Sequence, residues 1–161
     1  MNDLTRRLAD ALTASGHTLS TAESCTAGGL AHTITRVPGA SAFFVGGVVA
    51  YANTVKSSLL GVSEETLGRH GAVSAEVAEE MATSCRRLFS TDLAVSITGI
   101  AGPSGGAVDK PVGLVFVVVS GAAGVRGRRF VFPGDRDEVR ARAATAALEM
   151  LLDELAAPPP P

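Results

Sequence analysis

Three short polar residues in a row, Ser24, Cys25 and Thr26, stand between a β-prone run, Thr18 to Ala22, and a small-residue helical pattern that begins at Ala27-Gly28-Gly29-Leu30-Ala31. A strand-to-helix turn presents the first backbone N–H groups of the helix beside short hydroxyl and thiol side chains. Such a turn can hold an anion, or a developing oxyanion next to a nucleophile. The same residue types also serve as plain N-caps, because Ser and Thr oxygens accept the free N–H groups of a first turn. Spacing alone does not separate the two roles.

Lys56 falls where a short helix is expected to run from a cap at Asn53 to about Leu60, which puts its ammonium in the first turn. There it opposes the helix dipole, at a cost of about 0.3–1 kcal/mol when exposed. Either the side chain is fully solvated, or it faces an acid, an anionic substrate or a hydroxyl that it deprotonates. Arg136 and Arg140 pose a similar choice, four residues apart on one face near the start of the last helix. Asp135, Asp137 and Glu138 neutralise them, or they await an anion such as a phosphate.

The stretch Gly99 to Lys110 is glycine-rich, so its backbone can approach a ligand closely, and it is a second candidate region. Within it Gly102-Pro103-Ser104-Gly105-Gly106 formally fits a G-x-S-x-G nucleophile elbow. That motif needs a helix directly after the serine; here glycines and then Pro111 follow, and the match is discounted. The loop lacks the lysine-hydroxyl ending of a P-loop and the spacing of a dinucleotide fingerprint, so ATP and NAD lose support.

The elements that must position these residues follow from periodicity. Leu4, Leu8, Ala11 and Leu12 give a helix over 3–15, ended near Gly16. After the opening strand and a helix over 27–36, Val37-Pro38-Gly39-Ala40 reads as a turn, and Ser41 to Tyr51 as a buried strand with a glycine pair and Tyr51 at its end. Ser63 and Ser74 open two more helices, the second with Val77, Met81, Ser84 or Cys85, and Leu88 facing inward. Asp92 to Thr98 is a buried strand, Val112 to Ser120 an apolar strand placed at the centre of the sheet, and Arg126 to Phe132 its hairpin partner, so the sheet is mixed. Asp135 with Glu138 forms a capping box for a last helix that buries Val139, Ala143, Ala147, Met150 and Leu151.

The 161 residues fit one domain, expected over 1–157, with a Pro-rich tail at 158–161 that has no assigned role. Aromatics are only 4% of the chain, so the core must come from closely packed aliphatic residues, which favours α/β layering. A net charge of −2, with arginines grouped at 126–142 but no continuous basic block, argues against general nucleic-acid binding. Cys25 and Cys85, the only cysteines, lack metal-ligand spacing and fit a reducing cytoplasm. There is neither a secretory signal at the start nor an apolar run of about 20 residues, so a soluble protein is expected, with no membrane partner.

The blocks Thr21-Ala-Glu-Ser-Cys-Thr-Ala-Gly-Gly29, Val49-Ala-Tyr-Ala-Asn-Thr-Val-Lys56, Gly71-Ala-Val-Ser74, Ser96-Ile-Thr-Gly-Ile-Ala-Gly-Pro-Ser-Gly-Gly106, Lys110-Pro-Val-Gly113 and Gly134-Asp-Arg136, in this order, closely resemble the CinA C-terminal domain family. The likeness runs from about residue 3 to 155. It implies a three-layer α/β/α sandwich around a mixed central sheet. It also implies a nicotinamide-nucleotide amidase, hydrolysing nicotinamide mononucleotide to nicotinic acid mononucleotide and ammonia, without a metal or cofactor. Longer members carry an N-terminal nucleotide-processing domain that these residues do not include, and the activity of that domain is expected to be absent.

By position the resemblance makes Ser24 the nucleophile, with Tyr51 and Lys56 as the polar pair against it. A serine hydroxyl must lose its proton to a base, and a lysine of lowered pKa, acting directly or through Tyr51, can take it. Substrate contacts are expected from Cys25, Thr26, Ala27 and Gly28, and from Thr98, Gly99, Ala101 and Gly102, whose regions supply candidate N–H donors for the oxyanion. The phosphate is assigned to Arg136, Arg140 or the helix start after Thr26. Cys25 is a rival nucleophile that the family pattern makes a small packed residue. The family often has Gly where this chain has Ala27, whose methyl could crowd a backbone approach. Two other readings are an amidase for another small carboxamide and a non-catalytic nucleotide-binding regulatory module linked to competence or DNA damage. A homo-oligomer is also expected.

Overall fold

The computed structural model of the protein describes residues 3–158. Five strands form one sheet: β1 (Leu19–Glu23), β2 (Phe44–Val49), β3 (Leu93–Gly99), β4 (Leu114–Gly121) and β5 (Gly124–Val131), in the order β2-β1-β3-β4-β5. β1 runs parallel to β2 and β3, while β4 and β5 are antiparallel additions, so the sheet is mixed as the hairpin pattern implied. The helices are α1 (Asp3–Ser15), α2 (Gly29–Thr35), α3 (Asn53–Ser58), α4 (Glu64–His70), α5 (Ala75–Phe89) and α6 (Arg136–Ala156).

Strand alternation separates two different cores. On one face Leu19, Val95, Ile97, Val115, Val117 and Val119 pack with Leu8, Leu12, Ile34, Leu148 and Leu151 of α1, α2 and α6. On the other face the strands carry small side chains, Ala22, Ala94 and Ser96, against Ala78, Met81, Ala82 and Cys85 of α5. Ser96 Oγ donates to the Ala78 carbonyl at 2.6 Å, a contact that requires α5 to lie close on the sheet. The result is the expected three-layer α/β/α sandwich.

The capping expectations at Ser63, Ser74 and Asp135 hold: each side chain accepts a first-turn N–H, and Glu138 completes the box at Asp135. Other expectations need correction. The strand read as buried over 41–51 starts at Phe44, after a 3-10 turn at Ala40–Ala42, and it is an edge strand with Val45 and Val49 about half exposed. Its glycine pair serves close approach, since a Cβ on Gly47 would collide with Thr21 Oγ1. The central strand is β3, because the β4–β5 hairpin extends the sheet on one side only. Val77, Met81 and Cys85 face inward on α5 as expected and Ala78 and Ala82 join them, but Leu88 is half exposed. α2 starts at Gly29, two residues later than its pattern suggests, because Ala27 and Gly28 are left-handed at φ 50° and 93°. Ala52, not Asn53, is the residue before α3. Of the expected tail at 158–161, residues 159–161 lie outside the described residues.

Candidate active site

The chain passes from β1 to β2 on one side of the sheet, then returns to β3 on the other side of β1. In open α/β sheets such a reversal leaves a crevice beyond the carboxyl ends of the parallel strands. Residues following all three strand ends line a cavity of about 280 Å³: Ser24 and Cys25 after β1, Tyr51 after β2, and Ile100, Ala101 and Gly102 after β3.

Lys56, on α3, is 1% exposed and projects into this site. Its Nζ lies 2.9 Å from Ser24 Oγ, 2.8 Å from the Ala50 carbonyl and 3.3 Å from the Tyr51 carbonyl. No carboxylate pairs with it among the described residues, and burial lowers its pKa from the ordinary lysine value. As an ammonium it gives one N–H to each of the three oxygens. As a neutral amine it still serves both carbonyls with its two N–H groups, and its lone pair is left for the Ser24 hydroxyl. The same seat therefore suits both protonation states. Of the two roles the sequence left open for Lys56, solvation is overturned and contact with a hydroxyl is found. The dipole penalty disappears too, since in a six-residue helix Lys56 falls in the last turn.

Tyr51 meets Lys56 through its main-chain carbonyl only. Its ring is 56% exposed, and its hydroxyl accepts from Arg136 Nη2 at 2.9 Å. Arg136 Nη1 also donates to the Gly102 carbonyl at 2.8 Å, joining the start of α6 to the glycine-rich loop across the cavity. Both partners are neutral, so the Arg136 charge has no carboxylate among the described residues. Thr98 and Gly99 line the same cavity, and Thr98 Oγ1 donates to the Ala72 carbonyl at 2.8 Å. That bond places Ala72 and Val73 at the rim. With Asn53 they are lining residues for which the sequence suggested no substrate role, whereas Ile100, Ser104 and Gly105, also in the lining, belong to the glycine-rich loop that it offered as a second candidate region. The Gly71-Ala-Val-Ser74 block was the only signal for Ala72 and Val73. Ser104 sits in irregular chain with no helix after it, so the elbow match stays discounted.

Cys25 is 6% exposed, and burial pushes its thiol up to about 11, so it stays protonated at neutral pH. Thr26, Ala27, Gly28 and Arg140 are not brought to this cavity. Thr26 is buried behind the turn, and its carbonyl accepts from Arg140 Nη2 at 3.1 Å. Arg140, also 3.7 Å from Asp137, lines a separate cleft of about 470 Å³ between α2 and α6. Ala27 is exposed and its methyl lies away from the cavity, so the expected crowding does not arise.

The N-terminus of α2 is not an open anion seat, and neither Ser24 nor Thr26 caps it. The carboxylate of buried Glu23 fills that place, accepting from the N–H groups of Gly28, Leu30 and Ala31. Sequence reasoning passed over Glu23. The N–H groups of Cys25 and Thr26, and those of Ala101 and Gly102, donate to no acceptor among the described residues. A hydroxyl held against a desolvated amine, beside unpaired N–H groups, can attack a carbonyl and stabilise the oxyanion that forms. Among the described residues no group of three or more His, Cys, Asp or Glu is placed to hold a metal ion, and no helix is long and apolar enough to cross a membrane.

Several known proteins are similar to this chain in sequence and in shape. A CinA-like protein of Thermotoga maritima is 51% identical over 134 residues, 83% of this chain and 33% of its own length. One from Synechococcus is 54% identical over 138 residues, 84% of this chain and 33% of its own. The chain thus spans about a third of these curated relatives. Two solved structures match over nearly their whole lengths. The competence/damage inducible protein CihA from Agrobacterium tumefaciens is 40% identical with a TM-score of 0.92, covering 94% of this chain and 93% of its own. A competence-damaged protein (CinA) superfamily protein from Klebsiella pneumoniae is 39% identical with a TM-score of 0.93, covering 97% and 99%. Residues 1–155 match the CinA C-terminal domain as a family, and with the blocks around Ser24, Lys56 and Arg136 gathered at one cavity, the chain belongs to the CinA C-terminal domain family.

Proposed function

We propose that the protein is a serine amidohydrolase that converts nicotinamide mononucleotide to nicotinic acid mononucleotide and ammonia. The observation that carries this reading is the 2.9 Å contact between Ser24 Oγ and the buried, carboxylate-free Lys56 Nζ. Binding alone has no use for a desolvated amine held against a hydroxyl.

Neutral Lys56 takes the Ser24 proton as Oγ attacks the carboxamide carbon, and the carbonyl oxygen becomes an oxyanion facing unpaired N–H groups such as that of Cys25. Lys56 then gives the proton to the departing nitrogen, the C–N bond breaks and ammonia leaves. Water attacks the resulting ester, its proton passing to Lys56, and the acid departs as Ser24 recovers its proton. Lys56 acts directly, because the Tyr51 hydroxyl is turned to Arg136. Arg136, which borders the cavity without a carboxylate partner, holds the phosphate; Arg140 belongs to the other cleft.

Ammonia release from nicotinamide mononucleotide and from free nicotinamide, in the presence of a chelator, tests the reading. Turnover of the nucleotide with little from free nicotinamide supports it. Comparable turnover of both points to a general small-carboxamide amidase, and nucleotide binding without turnover points to a regulatory module.

A further inference from the structure

Glu23 and Ser24 are adjacent, and the alternation of an extended chain sends their side chains to opposite sides of the sheet. Ser24 meets Lys56 on α3, and Glu23 meets α2. The Glu23 carboxylate is 1% exposed. Its Oε2 accepts from Gly28 N–H at 3.1 Å and Leu30 N–H at 3.0 Å, and its Oε1 from Ala31 N–H at 2.8 Å. Between these anchors the turn is tied to itself by Ala27 N–H donating to the Ser24 carbonyl at 3.1 Å, and to β3 by Ser24 N–H donating to the Ile97 carbonyl at 2.9 Å. The main chain of Glu23 reaches the other partner. Its carbonyl accepts from Ala50 N–H at 2.8 Å, and the Ala50 carbonyl is one of the oxygens that hold Lys56.

We propose that Glu23 is a positioning residue for the Ser24–Lys56 pair. Its carboxylate sets the Ser24–Gly28 turn so that Ser24 Oγ stays within reach of Lys56 Nζ and the Cys25 N–H is left without an internal acceptor. This inference rests on the serine-nucleophile reading above. Both oxygens are needed: a carboxylate accepts at each, whereas a Gln side chain offers one acceptor and an NH₂ group that would confront another N–H. The Glu23→Gln variant therefore loses either the Ala31 bond or the Gly28–Leu30 pair, and the turn shifts. A displacement of about 1 Å at the reacting atoms lowers rate by about 10²-fold.

The test uses the intact protein with a fluorophosphonate probe, which phosphonylates an activated serine whatever the natural substrate is. Labelling of Ser24 is followed by mass spectrometry per mole of folded protein, beside kcat and KM for nicotinamide mononucleotide. Glu23→Gln is expected to label about 10²-fold more slowly, with kcat falling in parallel and KM little changed. A residue that merely stabilised the fold would lower the unfolding temperature and leave the labelling rate of folded molecules unaltered. Should Glu23→Gln not fold, Glu23→Asp, which keeps the charge but shortens its reach, gives the same comparison. A folded variant that labels at the wild-type rate overturns the positioning role alone. Wild-type protein in which Ser24 is not labelled overturns the serine-nucleophile reading and the positioning role with it.

Discussion

Two buried ionisable side chains flank Ser24, and they are held in opposite ways. Glu23 and Lys56 are each 1% exposed. The Glu23 carboxylate accepts from three backbone N–H groups at the end of a turn and the start of α2, donors that have no proton to exchange with it. Lys56 faces two carbonyls and a hydroxyl, and the hydroxyl can return a proton. One charge organises backbone and the other is poised for chemistry. Burial of a charge is therefore a poor guide to catalysis by itself; the partners decide.

The sharpest way to break this contrast is to remove the amine. Lys56→Met is expected to lower kcat by about 10⁴-fold or more, as losing a member of a nucleophile–base pair does. Ser24→Ala should match it, and the double variant should be little worse than either, because the two act as one unit. A Lys56→Met protein that keeps more than a tenth of wild-type ammonia release would sink the assignment of Lys56 as base.

Lys56 also leaves a thermodynamic signature. Its folded-state pKa lies below the ordinary value of 10.5, so the unfolded chain binds more protons than the native one between the two values. Stability should rise with pH across that window and level off above it. Denaturant unfolding at a series of alkaline pH values should show this slope in wild type and not in Lys56→Met.

The two arginines extend the comparison along α6. Arg136→Ala is expected to raise KM for the nucleotide about 10- to 100-fold, hydrogen bonds to charged groups being worth about 1.5–3 kcal/mol. Arg140→Ala should leave KM near wild type, since Arg140 borders the other cleft. The reverse order in steady-state kinetics would move the phosphate to the α2–α6 cleft. The smallest effect expected is at Ala27, whose left-handed φ of 50° disfavours a side chain. Ala27→Gly should stabilise the fold by about 1 kcal/mol without changing activity, as measured by chemical denaturation.

What was legible in the sequence is what local spacing decides. The Ser24 turn, the caps at Ser63 and Ser74, the Asp135–Glu138 box and the β4–β5 hairpin all follow from residues within a few positions of one another. The environment of Lys56 does not, because its hydroxyl partner lies 32 residues away. Whether a strand is buried depends on its place in the sheet, which pattern does not encode, and so the apolar run over 41–51 reads as a buried strand although β2 is an edge. Arg136 and Arg140 share a helical face, yet four residues advance the helix by about 6 Å, enough to carry the second past the cavity rim. Glu23 is hidden for a related reason: its donors are Gly28, just before α2, and Leu30 and Ala31 in its first turn, and the start of that helix is set by left-handed residues that periodicity does not reveal.

The most direct test of the central claim is mass spectrometry of protein quenched during turnover of nicotinamide mononucleotide, with Ser24→Ala and Lys56→Met in parallel. A serine amidase activated by Lys56 predicts an acyl adduct on Ser24 in wild type, and neither adduct nor ammonia beyond background in the two variants. Sustained ammonia release by Ser24→Ala, at a rate near that of wild type, would contradict it.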